Sequence, residues 1–212
     1  MSVRGRVLLA TRSEGKRREL EPLLRAHGWE VVDLARAGLE AQPGEEEALE
    51  TADSFEENAL AKARHFHARS GLPTVADDSG LSCEALGGLP GVRSKRWSGR
   101  PDLDGDALDA ANNALLLQAL ADAARGGAAS RAAKYVCVAA YVDGRVERVA
   151  RGETAGRILE RAEGDGGFGY DPLFWSDDLR SAFGLVSREE KSRVSHRARA
   201  LAALLEQLDA GS

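Results

Sequence analysis

The sequence predicts an α/β protein built around a mixed β-sheet. Strand-like apolar segments alternate with amphipathic helical segments in the first half of the chain, and two alternating strands around Asp143-Gly144 form a hairpin in the second half. Adjacent β–α units favour parallel pairing, whereas a hairpin pairs its strands antiparallel, so together they predict a mixed sheet flanked by helices. The sequence contains no internal repeat or long linker, and we expect a single domain over residues 1–212.

The first half of the chain is predicted to alternate strands and helices. In order, the segments are a strand at 7–10, a helix at 13–27, a strand at 30–34, an acidic loop at 39–53 and a helix at 54–70. Ser54 and Glu57 have the spacing of a capping box, which starts the last of these helices. Its buried face is predicted to consist of Phe55, Ala59, Ala63 and Phe66.

The second half is predicted to contain a buried strand, a long helix, the hairpin and a helical C-terminal segment. In order, they are a strand at 72–76 that ends at Asp77, a Gly/Pro-rich loop at 86–92, a helix at 105–124, strands at 133–142 and 146–150, and helical residues after 187. Ser187 and Glu190 form a second predicted capping box. If the segment forms one unbroken helix, His196 points towards solvent. If instead the helix breaks and Ser195 is the N-cap of a new helix, His196 and Arg197 start that helix and face a ligand.

Composition and charge argue against several classes of function. The 212 residues are 43% hydrophobic and 30% charged, which is typical of a globular protein, and the net charge of −5 argues against nucleic-acid binding. Two isolated cysteines, Cys83 and Cys137, are predicted to be buried thiols, consistent with a reducing compartment. The sequence has neither a signal-peptide pattern nor an apolar run of about 20 residues, so we expect no membrane association and a cytoplasmic location.

Asp77 and Asp78 follow directly on an apolar segment and precede Ser79 and Gly80. Neighbouring side chains of an extended segment point to opposite faces, so one carboxylate would hold the backbone while the other is presented to a ligand. A carboxylate in this position suits Mg²⁺ binding or activation of a water beside a phosphate. The alternative is an Asx-turn that closes the strand.

Two further segments have the chemistry of a phosphate site. Residues 11–16 join a strand to a helix, where free backbone N–H groups and the helix dipole favour a phosphate, and Thr11, Ser13 and Lys16 add donors. Asn58 and Lys62 lie four residues apart and project from one side of their helix. The alternative for residues 11–16 is an ordinary N-cap followed by a surface lysine. The alternative for Asn58 and Lys62 is a solvated polar pair.

The glycine-rich segment 164–172 and the basic segment 187–198 are candidates for ligand binding. Four glycines let the backbone approach a ligand, Phe168 and Tyr170 provide aromatic faces for stacking on a flat base, and Asp171 can orient the loop. The alternative for residues 164–172 is a glycine-rich turn with a packed aromatic residue. The alternative for residues 187–198 is a solvated basic helix face.

Six short motifs occur in one order along nearly the whole chain, from residue 6 to about 206. They are Thr-x₄-Lys, Phe-x-Glu-Asn-Ala-x₂-Lys-Ala, Ala-Asp-Asp-Ser-Gly-Leu, Leu-Gly-Gly-x-Pro-Gly-Val-x-Ser, Gly-Gly-Phe-Gly-Tyr-Asp-Pro and Glu-Lys-x₃-Ser-His-Arg. Each is weak alone, but in this order they resemble the inosine/xanthosine triphosphate pyrophosphatase family. Those enzymes hydrolyse aberrant purine nucleoside triphosphates to the monophosphate and pyrophosphate, and so clean the nucleotide pool.

The resemblance implies a role for each matching residue. Asp78 would be the general base and would hold Mg²⁺ together with Glu50, while Lys16 and Lys62 would sit on the triphosphate. Substrate-binding residues are implied at Thr11, Arg12, Ser13, Glu14, Gly15, Lys16, Asn58 and Ser79, and at Phe168, Gly169, Tyr170, Asp171, Lys191, His196 and Arg197. Of these, Lys191, His196 and Arg197 would read the 6-oxo group of hypoxanthine and xanthine, which adenine lacks. Within the acidic loop, Glu45, Glu46, Glu47 or Asp53 could take the place of Glu50.

The resemblance also implies a two-lobed α/β structure with a long mixed sheet, an active cleft between the lobes, and a homodimer. The chain departs from the family pattern with Ser13 in place of Asn and Trp97 in place of Tyr, which bears on affinity and substrate rank but not on the activity. Three alternative functions stay open. They are a pyrophosphatase of related fold for modified pyrimidine nucleotides, a nucleotide-binding sensor without turnover, and a nucleic-acid-binding protein.

Overall fold

A computed structural model describes residues 4–210, and the terminal residues 1–3 and 211–212 of the predicted domain lie outside the described residues. The helices are α1 (Glu14–Ala26), α2 (Pro43–Ala48), α3 (Phe55–Ser70), α4 (Gly105–Arg125), α5 (Arg188–Ser192) and α6 (His196–Ala210). The strands are β1 (Gly5–Leu9), β2 (Trp29–Asp33), β3 (Thr74–Cys83), β4 (Ala132–Val142), β5 (Glu147–Ile158), β6 (Phe174–Ser176) and β7 (Ser181–Ala182). Short 3₁₀ helices lie at Glu84–Leu86, Gly91–Arg96 and Asp171–Leu173.

The seven strands of the described chain form one sheet in the order β2-β1-β3-β4-β5-β6-β7. β1 pairs parallel with β2 and β3, with Val7 opposite Val31 and Leu8 opposite Thr74, and α1 makes the crossover between β1 and β2. β6 pairs antiparallel with both β5 and β7. The predicted α/β class with a mixed sheet is therefore confirmed.

The ends of the helices follow from local capping. Ser54 Oγ accepts a hydrogen bond from Glu57 N at 3.2 Å at the start of α3. Gly71, with a φ of 68°, ends α3 in the left-handed conformation that glycine adopts without strain. Ser187 and Glu190 form the complete capping box that was predicted before α5.

Two predictions for residues 39–83 are wrong. The acidic segment 39–53 is not all loop, because α2 forms within it, beginning at a proline, a residue type favoured in the first helical turn. β3 does not close in a turn at Asp77 but continues to Cys83. Beyond the aspartates, Leu81 and Cys83 point inward and are fully buried, so an extended chain buries more apolar surface there than a turn would.

β5 is also longer than predicted and reaches Ile158 instead of ending at 150. Every second residue from Ala150 to Ile158 is buried, which is the period of a strand with one face on the core. The inward positions between them are Gly152, Thr154 and Gly156, so the alternation carries no apolar signal in the sequence.

The described chain groups into two compact units. The first unit contains the described residues up to Asp78, Cys137–Gly152 and the residues from His196 onwards, and the second unit contains Ser79–Val136 and Glu153–Ser195. The core of the first unit includes Val7, Leu9, Leu20, Leu24, Cys137 and Leu201, and that of the second includes Leu81, Cys83, Leu116, Tyr135, Phe174 and Phe183. Both cysteines are buried free thiols, as predicted. The interpretation of the chain as a single two-lobed domain stays a prediction.

Within residues 4–210, no helix combines the length and the apolar character that crossing a membrane requires.

Candidate active site

Asp77 and Asp78 are neighbours on β3 but contact different cations. Asp77 Oδ2 lies 2.9 Å from Lys16 Nζ, whereas Asp78 Oδ1 lies 3.2 Å from Lys62 Nζ. The division follows from strand geometry, in which successive side chains point to opposite faces. The two residues are only 2% and 6% exposed, so each carboxylate depends on its cation. The predicted orientation of the two side chains to opposite faces is thus observed, and the alternative of an Asx-turn is wrong. The expectation that one carboxylate holds the backbone is also wrong, because Asp77 instead contacts the side chains of Lys16 and Arg197.

Lys62 on α3 joins two carboxylates. Its Nζ donates to Glu50 Oε1 at 2.9 Å and to Asp78 Oδ1 at 3.2 Å. Burial alone would lower the pKa of the Lys62 ammonium, but the charges of Asp78 and Glu50 outweigh it and raise that pKa well above its ordinary value. Lys62 is therefore a charged bridge between the two carboxylates, and the alternative of a solvated pair of Asn58 and Lys62 is wrong.

Asn58, one turn earlier on α3, holds both Asp78 and the segment that follows α2. Its Nδ2 donates to Asp78 Oδ2 at 3.0 Å, and its Oδ1 accepts from Ala52 N at 3.0 Å. The residue is fully buried, so these hydrogen bonds satisfy its amide where water does not reach. Asn58 thereby couples the orientation of Asp78 to the position of the segment that carries Glu50.

Among the acidic residues that the sequence left open, Glu50 is brought to Lys62. Glu46 on α2 instead accepts two hydrogen bonds from the Arg12 guanidinium, at 2.7 and 3.1 Å, and these bonds lower the pKa of Glu46. The remaining candidates are exposed, namely Glu45, Glu47 and Asp53. The geometry therefore favours Glu50 as the carboxylate that acts beside Asp78.

Glu50 and Asp78 have the ligand chemistry that a divalent cation such as Mg²⁺ requires. Both offer carboxylate oxygens. The ammonium nitrogen of Lys62 contacts both carboxylates, so the two are close enough together for one metal ion to bind both. Among residues 4–210, no group of three or more His, Cys, Asp or Glu side chains is placed to hold a metal ion. Mg²⁺ commonly uses one or two carboxylates and takes its other ligands from water and substrate phosphates. The residues present therefore fit an ion that binds together with a phosphate.

A second buried cluster surrounds Asp77. Arg197 Nη1 donates to Glu19 Oε2 at 2.8 Å, and Arg197 Nε lies 3.6 Å from Asp77 Oδ2. Burial alone would raise the pKa of Asp77, but the charges of Lys16, Arg197 and Lys62 outweigh it and lower the pKa to about 2. Asp77 is therefore ionised at neutral pH and engaged by two cations, which makes it an anchor for Lys16 and Arg197.

The segment between β1 and α1 is held by its own hydroxyl groups. Thr11 Oγ1 accepts from Ser13 N at 3.1 Å, and Ser13 Oγ accepts from Lys16 N at 3.3 Å, so Ser13 is the N-cap of α1. Lys16 is directed to Asp77 and Arg12 to Glu46. The local hydrogen bonds thus fix the loop that carries Arg12 and the start of the helix that carries Lys16.

In the second unit, the glycine-rich segment folds around the buried carboxylate of Asp171. Oδ2 accepts from Phe168 N at 2.9 Å and from Lys191 Nζ at 2.5 Å, and Oδ1 accepts from the Tyr135 hydroxyl at 3.2 Å. A Cβ at Gly167 would lie 2.1 Å from Asp171 Oδ2, which explains why glycine occupies this position. Asp171 orients the loop, as the sequence predicts.

The two aromatic residues of this segment have different surroundings. Phe168 is half-buried, and Lys191 Nζ lies 5.1 Å from the centre of its ring. Tyr170 is only 5% exposed, packs in the core of the second unit and donates its hydroxyl to Ser94 O at 2.7 Å. Phe168 is therefore partly accessible, whereas Tyr170 anchors the loop.

α6 begins at His196, directly after Ser195, so the predicted break between α5 and α6 is confirmed. His196 and Arg197 are both buried, and the alternative of a solvated basic helix face is wrong for them. Gly152 on β5 lies against this end of α6, since a Cβ there would come within 2.3 Å of His196 O and Ala200 N. Glycine at 152 is therefore needed for the close approach of strand and helix.

The family model described as the Ham1 family matches residues 7–207. The chain belongs to the Ham1 family. This agrees with the resemblance drawn from the six motifs of the sequence.

Full-length relatives and solved structures in the Ham1 family are similar to this chain. A dITP/XTP pyrophosphatase of Mycolicibacterium paratuberculosis is 50% identical over 205 residues, covering 96% of this chain and 95% of that protein. One of Frankia alni is 46% identical over 207 residues, covering 96% and 98%. The structure of a HAM1 protein from Coxiella burnetii is 31% identical with a TM-score of 0.80, covering 96% of this chain and 98% of that chain.

In this Ham1 family member, the predicted site residues fall in both units. The first unit contains Thr11, Arg12, Ser13, Glu14, Gly15, Lys16, Glu50, Asn58, Lys62, Asp78, His196 and Arg197, and the second contains Ser79, Phe168, Gly169, Tyr170, Asp171 and Lys191. Contacts join Glu50, Asn58, Lys62 and Asp78 in the first unit, and Phe168, Asp171 and Lys191 in the second. Glu14 is not brought into the cluster, because its carboxylate bonds to two arginines on the outer face of α1.

Sequence reasoning missed Glu19 and Gly152. Glu19 lies three residues after Lys16 on α1 and so shares its face, a spacing that could have indicated a second charged residue at the site. Gly152 is a glycine in a strand interior, which often marks a close approach of another backbone.

Proposed function

We propose that this chain is a dITP/XTP pyrophosphatase, which hydrolyses ITP, dITP and XTP to the monophosphate and pyrophosphate. The observation that carries the proposal is the Lys62 bridge between Glu50 and Asp78, with Asn58 on the second oxygen of Asp78. Such a cluster suits activation of water beside a metal-bound phosphate. The substrate class is supported by full-length relatives named dITP/XTP pyrophosphatase.

Asp78 is proposed to accept the proton of the attacking water. Each carboxylate oxygen has two lone pairs, so the hydrogen bonds from Lys62 and Asn58 leave acceptor capacity on both oxygens. The same two donors fix the plane of the carboxylate, which helps a general base to meet its proton at hydrogen-bond distance. Lys62 would also offset negative charge on the triphosphate as pyrophosphate leaves.

Glu50 and Asp78 are proposed to hold Mg²⁺. When bound, the ion supplies charge neutralisation on the phosphate oxygens. Asn58 keeps the Glu50 segment in place through its hydrogen bond from Ala52 N, so both carboxylates stay within reach of one ion. Chelation of divalent ions should therefore abolish turnover.

Lys16 is proposed to bind the triphosphate together with the hydroxyls of Thr11 and Ser13. An ammonium has three N–H donors, and its contacts with Asp77 leave donor capacity for a phosphate oxygen. The start of α1 adds backbone N–H groups and the positive end of the helix dipole. Asp77 would position Lys16 and take no part in the proton transfer.

Phe168, Lys191 and His196 are proposed to recognise the base. The ring of Phe168 offers a face for stacking, and Lys191 and His196 offer donors for a 6-oxo group. The 6-amino group of adenine would leave such donors unpaired, which discriminates strongly against ATP. Arg197, held by Glu19 and Asp77, is assigned a positioning role beside His196.

A homodimer is proposed from the family resemblance alone. Light scattering coupled to size-exclusion chromatography should give a mass twice that of one chain. A mass of one chain at micromolar concentration would refute this part of the proposal without touching the activity.

The test of the activity is pyrophosphate release from ITP, dITP, XTP, GTP, ATP and dUTP, each with Mg²⁺ and with EDTA. We expect metal-dependent release from ITP, dITP and XTP, with ATP and dUTP hardly turned over. Binding without turnover would favour the nucleotide sensor instead. Release from dUTP alone would favour the pyrophosphatase class that acts on pyrimidine nucleotides.

A further inference from the structure

α4 holds the glycine-rich segment by both backbone groups of one residue, Gly169. Asp109 Oδ2 accepts a hydrogen bond from Gly169 N at 2.6 Å, and Asn113 Nδ2 donates to Gly169 O at 3.0 Å. The two side chains lie four residues apart and project from the same face of α4. Asp109 and Asn113 are called the α4 clamp below.

The α4 clamp acts between two anchored neighbours. Phe168 N donates to Asp171 Oδ2 at 2.9 Å, and the buried Tyr170 donates its hydroxyl to Ser94 O at 2.7 Å. Gly169 itself has a φ of 65° and open space where a Cβ would lie, so its own packing does not fix it. Without the clamp, the peptide group between Phe168 and Gly169 would keep one long hydrogen bond, from Asp171 N to Phe168 O at 3.3 Å. Glycine has the largest conformational freedom of any residue, so the peptide groups on both its sides would then rotate more easily.

We propose that the α4 clamp positions the ring of Phe168 for base recognition and so sets the affinity for the purine base. The inference rests on the proposed function, since it takes the Phe168 ring to be the face on which the base stacks. Phe168 directly precedes the clamped residue, so rotation of the peptide group between them would displace its ring. A ring that is fixed before binding avoids the entropy loss that ordering a mobile loop would add.

The clamp should act on substrate binding more than on the chemical step. A stacked ring contacts the base alike in the ground state and the transition state, so loosening it raises KM and leaves kcat nearly unchanged. Loss of one neutral hydrogen bond corresponds to roughly a 2- to 10-fold change in affinity. We therefore expect Asn113→Leu to raise the KM for dITP roughly 3- to 10-fold.

The experiment is a double-mutant cycle on kcat and KM for dITP, with Asn113→Leu made in the wild type and in Phe168→Ala. Gln118→Leu is the matched control, because Gln118 is an exposed amide on the same helix that bonds to Asp122 instead. Asp109→Asn keeps an acceptor for Gly169 N and should raise KM less than Asp109→Leu. This second pair tests the clamp if Asn113→Leu does not fold.

The inference is supported if Asn113→Leu raises KM, Gln118→Leu does not, and the effect of Asn113→Leu shrinks below about 2-fold in the Phe168→Ala background. An unchanged KM in Asn113→Leu overturns it, as does an equal loss in both backgrounds, while the proposed function stands. If the wild type releases no pyrophosphate from dITP, the proposed function fails and the inference fails with it.

Discussion

Replacing Lys62 by methionine removes the ammonium that joins Glu50 to Asp78 and keeps a flexible side chain of similar length. In the wild type, Nζ lies 2.9 Å from Glu50 Oε1 and 3.2 Å from Asp78 Oδ1. Asp78 is 6% exposed and loses its cation in Lys62→Met. The side chain of Glu50 is 32% exposed and keeps part of its hydration.

The expected loss of stability follows from this burial. Breaking a buried ion pair by removing one partner costs about 3–5 kcal/mol. Because water already screens Glu50, the lower end of this range applies, about 3 kcal/mol. For a chain of this length 1 kcal/mol shifts Tm by about 2–4 °C, so the Tm of Lys62→Met in EDTA should lie roughly 6–12 °C below that of the wild type.

Addition of Mg²⁺ should then stabilise Lys62→Met more than the wild type, because the ammonium no longer competes with the ion for the two carboxylates. The measurement is thermal unfolding of both proteins in EDTA and in Mg²⁺. Lys134→Met is the matched control, since its ammonium pairs with Glu153 at the surface and its loss should change Tm little. An unchanged Tm of Lys62→Met in EDTA, or a Mg²⁺ shift no larger than that of the wild type, would refute the reasoning.

Three further changes have defined outcomes. Asp78→Asn should lower kcat for dITP by ~10²–10⁴, the usual contribution of a general base, and near-normal turnover would contradict the assignment. The pKa of Asp77 is lowered from 3.8 to about 2, so the stability that Asp77 contributes is present above about pH 4 and is lost as pH falls towards 2. The difference in unfolding free energy between wild type and Asp77→Asn should therefore shrink by roughly 2 kcal/mol between about pH 5 and pH 2, and a constant difference would exclude this role. Arg197→Leu removes the guanidinium from Glu19 and Asp77 and should lower the unfolding free energy by about 3–5 kcal/mol in urea titrations, where a loss below about 1 kcal/mol would speak against a buried ion cluster.

Elements with a strong hydrophobic period and recognisable caps could be predicted from the sequence. α1, α3 and α4 begin and end within one residue of their predicted bounds. α2 could not be predicted, because its six residues are mostly exposed and have no apolar stripe. The second half of β5 was missed for a related reason, since Gly152, Thr154 and Gly156 fill its inward positions without an apolar pattern.

Within the site, relations along one helix could be predicted and contacts between distant segments could not. The four-residue spacing of Asn58 and Lys62 places them on one side of α3, and both do reach Asp78. No spacing rule links Arg197 to Glu19, which lie 178 positions apart and meet only because α6 packs in the same core as α1. The hydrogen bonds of Asp109 and Asn113 to Gly169 likewise could not be predicted, because they form only where α4 packs against the glycine-rich segment.

The central claim is that this chain releases pyrophosphate from dITP in a metal-dependent reaction. The most direct measurement is product analysis of dITP incubated with the wild-type protein, in Mg²⁺ and in EDTA. We expect one dIMP and one pyrophosphate for each dITP consumed in Mg²⁺, without orthophosphate, and no turnover in EDTA. Release of orthophosphate, or pyrophosphate release that persists in EDTA, would contradict the claim.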